Sequence, residues 1–153
     1  MVCSAIACRS PREQAPALRP GEVESEAAGL PADEVAYQLE GGIAGFRIEL
    51  RIDRGGAATI RDAGRGDRRG QLGAADRADL ARLVAAADLD HLASAYGIPG
   101  AVVDGMSEAV TVRRGEQSVR VSAVTDPANE PPAALRDLFN RLRGIALTLP
   151  ATP

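Results

Sequence analysis

The chain contains no lysine, no tryptophan and a single histidine. Without lysine there is no Schiff-base chemistry and no Walker lysine to hold a nucleotide's phosphates. With one histidine the HExxH zinc motif is excluded. No G-x-S-x-G elbow is present, and no serine stands with His91 in a triad-like arrangement. Asp88, Asp90 and His91 therefore read as a helix-end histidine near two solvated carboxylates. Aromatic residues make up 3% of the chain, too few to form a stacking platform for bases. Long apolar runs are also missing: none reaches the roughly 18 residues of a membrane-spanning helix. These absences speak against an enzyme, a bound cofactor and a resident metal.

All 18 basic residues are arginine, against 21 acidic residues, for a net charge of −3. A nucleic-acid binder would present a basic field, so that class is disfavoured. The local run Arg65-Gly-Asp-Arg-Arg69 sits beside Gly64, Gly66 and Gly70 and reads as a solvated loop. A length of 153 residues favours one domain with a sizeable core, built here from Leu, Ile, Val and Ala.

Residues 1–33 are rich in Pro, Ala, Glu and Gly without periodicity and read as a tail and linker. Within them Ala5-Ile6-Ala7-Cys8 resembles a degenerate bacterial lipobox. The stretch before Cys8 is too short for a secretory leader, which needs roughly 7–15 apolar residues after a charged start. Two readings stand side by side. In one, the chain start is truncated and Cys8 is a lipidation site. In the other, the segment is a disordered cytosolic tail. Cys3 and Cys8 supply too few ligands for a zinc site.

The remaining residues, 34–149, form the expected domain. EVAYQLE alternates Val35, Tyr37 and Leu39 with polar or small neighbours, the period of a strand. FRIELRID places Phe46, Ile48, Leu50 and Ile52 on one face and Arg47, Glu49, Arg51 and Asp53 on the other, a half-buried antiparallel strand. Arg54-Gly55-Gly56 is a turn and AATIRD the returning strand. Residues 64–73 read as a Gly-rich loop. AADRADLARLVAAAD carries Leu80, Leu83, Val84 and Ala87 at helical spacing, with Asp76 and Asp79 where the helix dipole favours negative charge. A short 3₁₀ segment around Leu89 follows, then a loop over 93–105. AVTVRR and QSVRVSAV form a second strand pair around Arg114-Gly115-Glu116. AALRDLFNRLRGI closes the chain as an amphipathic helix, with Pro132 near its first turn and Gly144 just past its end. The order is β-β-β-α-β-β-α. It predicts an α+β fold, an antiparallel sheet of about five strands with two helices on one face.

One segment has no ordinary explanation. Gly41-Gly42-Ile43-Ala44-Gly45 lies between two strands, so it is not a dinucleotide fingerprint, which joins a strand to a helix. It is also longer than a two-residue hairpin turn and holds an apolar residue at its centre. Two readings remain open: an exposed recognition loop, or a wide bend with Ile43 tucked into the core.

GGIAG entering an amphipathic strand, then RIDRGGAATI, LARLVAAADLDHL, a loop to Asp104, AVTVRRGEQSVRV and AALRDLFNRL occur in this order. Together they resemble the emfourin family, small bacterial inhibitors of thermolysin-like metalloproteases, over about residues 35–145. The family commonly has Phe where this chain has Ile43. Related domains occur in actinobacterial lipoproteins, which agrees with the first reading of Cys8. The resemblance implies a protein partner, a thermolysin-like metalloprotease, met through Gly41, Gly42, Ile43, Ala44 and Gly45. Ile43 would fill the pocket such proteases keep for a bulky apolar residue after the scissile bond. Phe46 is the rival anchor, but its alternation assigns it to the core. Glu40 or a backbone carbonyl would approach the protease's zinc, and the inhibitor would hold no metal. The expected state is a monomer in the envelope or secreted, with the cytoplasm as the alternative. The competing expectation, from another class, is an envelope-anchored lipoprotein domain with a structural or ligand-binding role and no inhibitory activity.

Overall fold

The computed structural model describes residues 29–42, 45–97, 105–124 and 129–150. Their fold is α+β: one sheet of seven strands with helices against it. The strands are β1 (Glu34–Gly41), β2 (Phe46–Asp53), β3 (Ala57–Asp62), β4 (Arg68–Gln71), β5 (Ala95–Tyr96), β6 (Met106–Arg114) and β7 (Gln117–Val124). The helices are α1 (Ala74–Ala87) and α2 (Ala133–Thr148), with a 3₁₀ turn at Leu89–His91. Strand order is β4-β3-β2-β1-β6-β7-β5. All neighbours pair antiparallel except β5, which runs parallel to β7.

The sheet thus has two strands more than the five expected. β4 occupies part of the stretch read as a loop, and β5 lies in the stretch read as a connection. Neither carries an apolar alternation. The core-side positions of β4 are Arg68 and Gly70, since Arg68 faces Ile60 and Gly70 faces Ala58 in the register. Arg68 is also no solvated residue. Its guanidinium donates to the carbonyls of Ala146 (2.8 Å) and Leu149 (3.3 Å) at the end of α2. A positive charge there answers both the unpaired carbonyls and the helix dipole. Asp62, 5% exposed, lies 3.5 Å from Arg68 and accepts the amides of Gly64 and Arg65, closing the β3–β4 turn.

The register explains which face is buried. Val35, Tyr37 and Leu39 of β1 face Ile52, Leu50 and Ile48 of β2. On the other side Val35 and Tyr37 face Val112 and Val110 of β6. All these side chains lie on the helix-covered face and are buried. Each large one contributes about 1.5–3 kcal/mol relative to remaining exposed. The alternate residues, among them Arg47, Arg51, Arg61, Arg113 and Arg120, are exposed on the open face. Such one-sided alternation is the signature of an antiparallel sheet with one solvated surface.

In α1 the stripe Leu80, Leu83, Val84 and Ala87 is buried, as its spacing predicts. The helix stops at Asp88, whose φ of 45° is left-handed, a conformation Asp tolerates better than most residues. α2 starts after Pro132, whose carbonyl accepts the amides of Leu135 and Arg136. It runs four residues beyond Gly144, expected to lie past its end, because Ile145 and Ala146 continue the buried stripe. Arg141 ties the two helices together through Asp76 (2.6 Å) and Asp79 (3.1 Å) of α1. Ahead of β1, Leu30 and Ala32 are buried in the core although the sequence pattern assigns them to the tail. The amide of Leu30 is fixed to the Arg54 carbonyl at 3.1 Å. Cys8 lies outside the described residues.

Candidate functional site

The glycine-rich segment closes a β-hairpin. Gly41, the last residue of β1, pairs with Phe46 on one side and with Met106 on the other. Its φ is 133°, and a Cβ there would sit 2.3 Å from the Gly105 carbonyl oxygen. Both the dihedral and the contact demand glycine. Beyond it the amide of Gly45 donates to the Gly42 carbonyl at 3.0 Å, with left-handed φ values of 75° and 65° at the two residues. A Cβ on Gly45 would meet nothing within 4 Å. Gly41 is therefore a packing glycine, whereas Gly42 and Gly45 are turn glycines, with open space at the Cβ position of Gly45. Ile43 and Ala44 lie outside the described residues, so the two readings of Ile43 are not separated by the structure.

Phe46 does not occupy the core expected of it. It is 39% exposed, the only exposed large hydrophobic side chain among the described residues. Its register is the core register, one step past the fully buried Ile48. The cover ends first. α2 packs on β1, β2 and β6 and reaches the row of Leu39, Ile48 and Glu108 through the Arg143–Glu108 bond. The next row is Phe46, Gly41 and Met106. Because Gly41 has no side chain, Phe46 lacks a neighbour on its β1 side, and Met106 across it is half-buried at the margin of the core. Glu40 is exposed on the opposite face of β1, across from Arg47.

A second feature lies under the same end of the sheet. Glu108 stands on the core register of β6, opposite Leu39. Tyr37, 1% exposed, donates its hydroxyl to Glu108 Oε1 at 2.5 Å. Arg143 of α2 donates Nε to Oε1 (3.1 Å) and Nη2 to Oε2 (2.6 Å). Burial, followed by the bond to Glu108, pushes the Tyr37 hydroxyl well above the usual tyrosine range. The bond to Glu108 likewise raises Arg143. The ring of Phe139 lies 6.3 Å from that of Tyr37. Beside this cluster is a cleft of about 300 Å³, walled by Ala123, Val124 and Phe139 and edged by Asp137 and Asn140. This cluster escaped the reading of the sequence, yet it left a signal there. In MSEAVTV a carboxylate takes a position of the same parity as Val110 and Val112.

His91 is exposed and bonded to Asp88 at 2.9 Å, which raises its pKa above the usual histidine value. The side chain it meets is thus one of the two carboxylates expected near it. Among the described residues no three His, Cys, Asp or Glu side chains are grouped to hold a metal ion. No described helix is long and apolar enough to cross a membrane. No protein-family model matches the chain, and no curated protein matches it significantly.

Proposed function

We propose that this chain is a proteinaceous inhibitor of thermolysin-like metalloproteases that presents the β1–β2 hairpin tip to the protease cleft. The observation that carries this reading is Phe46, a large exposed apolar side chain next to a glycine turn held between paired strands. A cleft binder must bring backbone close to the enzyme, and Gly42 and Gly45 carry no side chain to oppose it, with open space at Gly45. It must also lose little entropy on binding. β1 is paired along its whole length on both sides, which holds the base of the tip rigid before contact. Ile43 and Phe46 are the two apolar anchors for the protease's pocket, the kind of residue that dominates binding energy. The partner supplies the zinc, and this chain needs neither a cofactor nor a metal. The protein acts as a monomer, in the envelope or outside the cell, with Cys8 as a lipid anchor in the tethered form.

The test is a titration of the full chain against thermolysin, or a protease of the same type from the source organism, with a peptide substrate as readout. Stoichiometric loss of activity is expected. Phe46→Asp and Ile43→Asp should each leave the melting temperature unchanged. The variant that removes the principal anchor should weaken inhibition by about thirtyfold or more. Absence of inhibition by the unmodified chain overturns the reading. It would favour an envelope domain that binds a ligand, with the cleft beside Glu108 as the candidate site.

A further inference from the structure

The cleft between the ends of β6 and β7 and the first half of α2 has no part in the hairpin reading. Its lining is neither uniformly apolar nor uniformly charged. Phe139, Ala123 and Val124 provide an apolar wall. Three carboxylates, Glu108, Glu130 and Asp137, face two guanidiniums, Arg136 and Arg143, which leaves the lining one negative charge in excess. Both guanidiniums are already committed, Arg136 to Glu130 and Arg143 to Glu108. The side chains of Asp137 and Asn140, by contrast, make no hydrogen bond or ion pair among the described residues. Glu108 also keeps capacity. A carboxylate offers about four acceptor positions, and Tyr37 and Arg143 together fill three of them.

An anion entering this cleft would find every cation paired and one carboxylate unpaired. A cation would find free acceptors on Glu108, Asp137 and Asn140. A volume of about 300 Å³ is at the lower end for small-molecule sites, and such sites combine an apolar wall with a few convergent polar groups. We propose that the cleft binds a small primary ammonium compound with a short apolar body. The ammonium would be received by the Glu108 and Asp137 carboxylates and the Asn140 amide oxygen, and the body would lie on Phe139, Ala123 and Val124. An ammonium brings three donors and no acceptor, which suits the open acceptor position of Glu108, the Asp137 carboxylate and the Asn140 amide oxygen. Glu108 suits such a site because Tyr37 and Arg143 hold it in a single orientation, so its remaining acceptor position is fixed before a ligand arrives.

The experiment is a titration of the full chain with phenethylammonium chloride, followed by amide shifts in a nitrogen–proton correlation spectrum. Phenylacetate, of similar body and opposite charge, serves as the control. Saturable shifts at Glu108, Asp137 and Asn140 with the ammonium, and none with phenylacetate, are expected. Asp137→Asn should weaken binding by about fivefold with an unchanged melting temperature, and Glu108→Gln by about tenfold or more. Because Glu108 also tethers α2, Asp137→Asn is the decisive variant. Equal binding of phenylacetate, unaltered affinity in Asp137→Asn, or no saturable shift with the ammonium would each overturn the proposal.

Discussion

β2 begins and ends at glycine-rich turns, and the two have opposite surroundings. At its far end, the turn Arg54-Gly55-Gly56 is tied down from several directions. The Gly56 amide donates to the Asp53 carbonyl (2.9 Å) and the Ala57 amide to the Asp53 carboxylate (2.9 Å). The Gly55 carbonyl accepts from Arg77 of α1 (2.7 Å) and from Gln71 (2.8 Å), and the Arg54 carbonyl from Leu30 (3.1 Å). At its near end, the bond that the described residues give the Gly42–Gly45 turn is the Gly45 amide to the Gly42 carbonyl, 3.0 Å, and a Cβ on Gly45 would meet nothing within 4 Å. Composition does not distinguish the two turns. Among the described residues, what distinguishes them is how many side chains and carbonyls bond to each. The first is a joint of the fold, and the second follows a strand, β1, that is paired on both sides up to Gly41.

The comparison breaks most sharply at the base of that stem. Gly41→Ala places a Cβ 2.3 Å from the Gly105 carbonyl at a φ of 133°. Backbone strain and overpacking together should cost about 3–5 kcal/mol. At the tied turn, Gly56→Ala puts its Cβ 2.5 Å from Arg77 Cδ at a φ of 88°. Arg77 can move aside, but only by giving up its bond to Gly55, so about 2 kcal/mol is expected. At the open tip, Gly45→Ala meets no atom, and only its φ of 65° is unfavourable, which costs about 1 kcal/mol. Denaturant unfolding of the three variants measures all of these. A loss at Gly45 as large as that at Gly56 would mean that the tip is integral to the fold.

Much of this architecture was legible before any coordinates. β1, β2, β3, β6, β7 and both helices bury side chains at their own period, and period is what a sequence displays. The misreadings concern features with no local period: cover by a distant element, bonds across the chain, and segments too short to repeat. Phe46 keeps the strand's register, but the strand cannot report where α2 stops. β4 is held by Arg68 reaching the carbonyls of a helix some eighty residues later in the chain, a bond without local periodicity. β5, two residues long, is too short to show any. Leu30 and Ala32 join the core without a repeat to announce them. At the candidate site, the requirement for glycine was visible in GGIAG. Assigning separate roles to Gly41 and Gly45 needed the neighbouring strand β6. The cleft required two segments, around Glu108 and around Arg143, to meet in space.

The smallest expected effect tests the comparison through acid. The tied end carries a titratable staple, whereas the described bond at the tip is backbone to backbone. Asp33 accepts the Gly115 amide at 2.5 Å and pairs with Arg54 at 2.8 Å. The bond from Gly115, with Arg54 and Arg113 adding to it, holds its carboxyl below the ordinary aspartate value of 3.8. A carboxyl whose pKa is depressed by folding stabilises the folded state above its unfolded pKa and loses that contribution as pH falls through the folded value. Lowering the pH from 5 toward 2 (about the span of that loss) should therefore loosen the Gly115 turn first. The amide of Gly45, whose bond to the Gly42 carbonyl involves no titratable group, should keep its behaviour until global unfolding. Amide exchange at Gly115 and Gly45 across that range, with Asp33→Asn as reference, provides the measurement. In Asp33→Asn the acid dependence at Gly115 should disappear. If Gly45 and Gly115 lose protection together in the unmodified chain, the tip and the Asp33-tied end of the sheet open as one cooperative unit. The tip would then have no independence from the turn that is tied down.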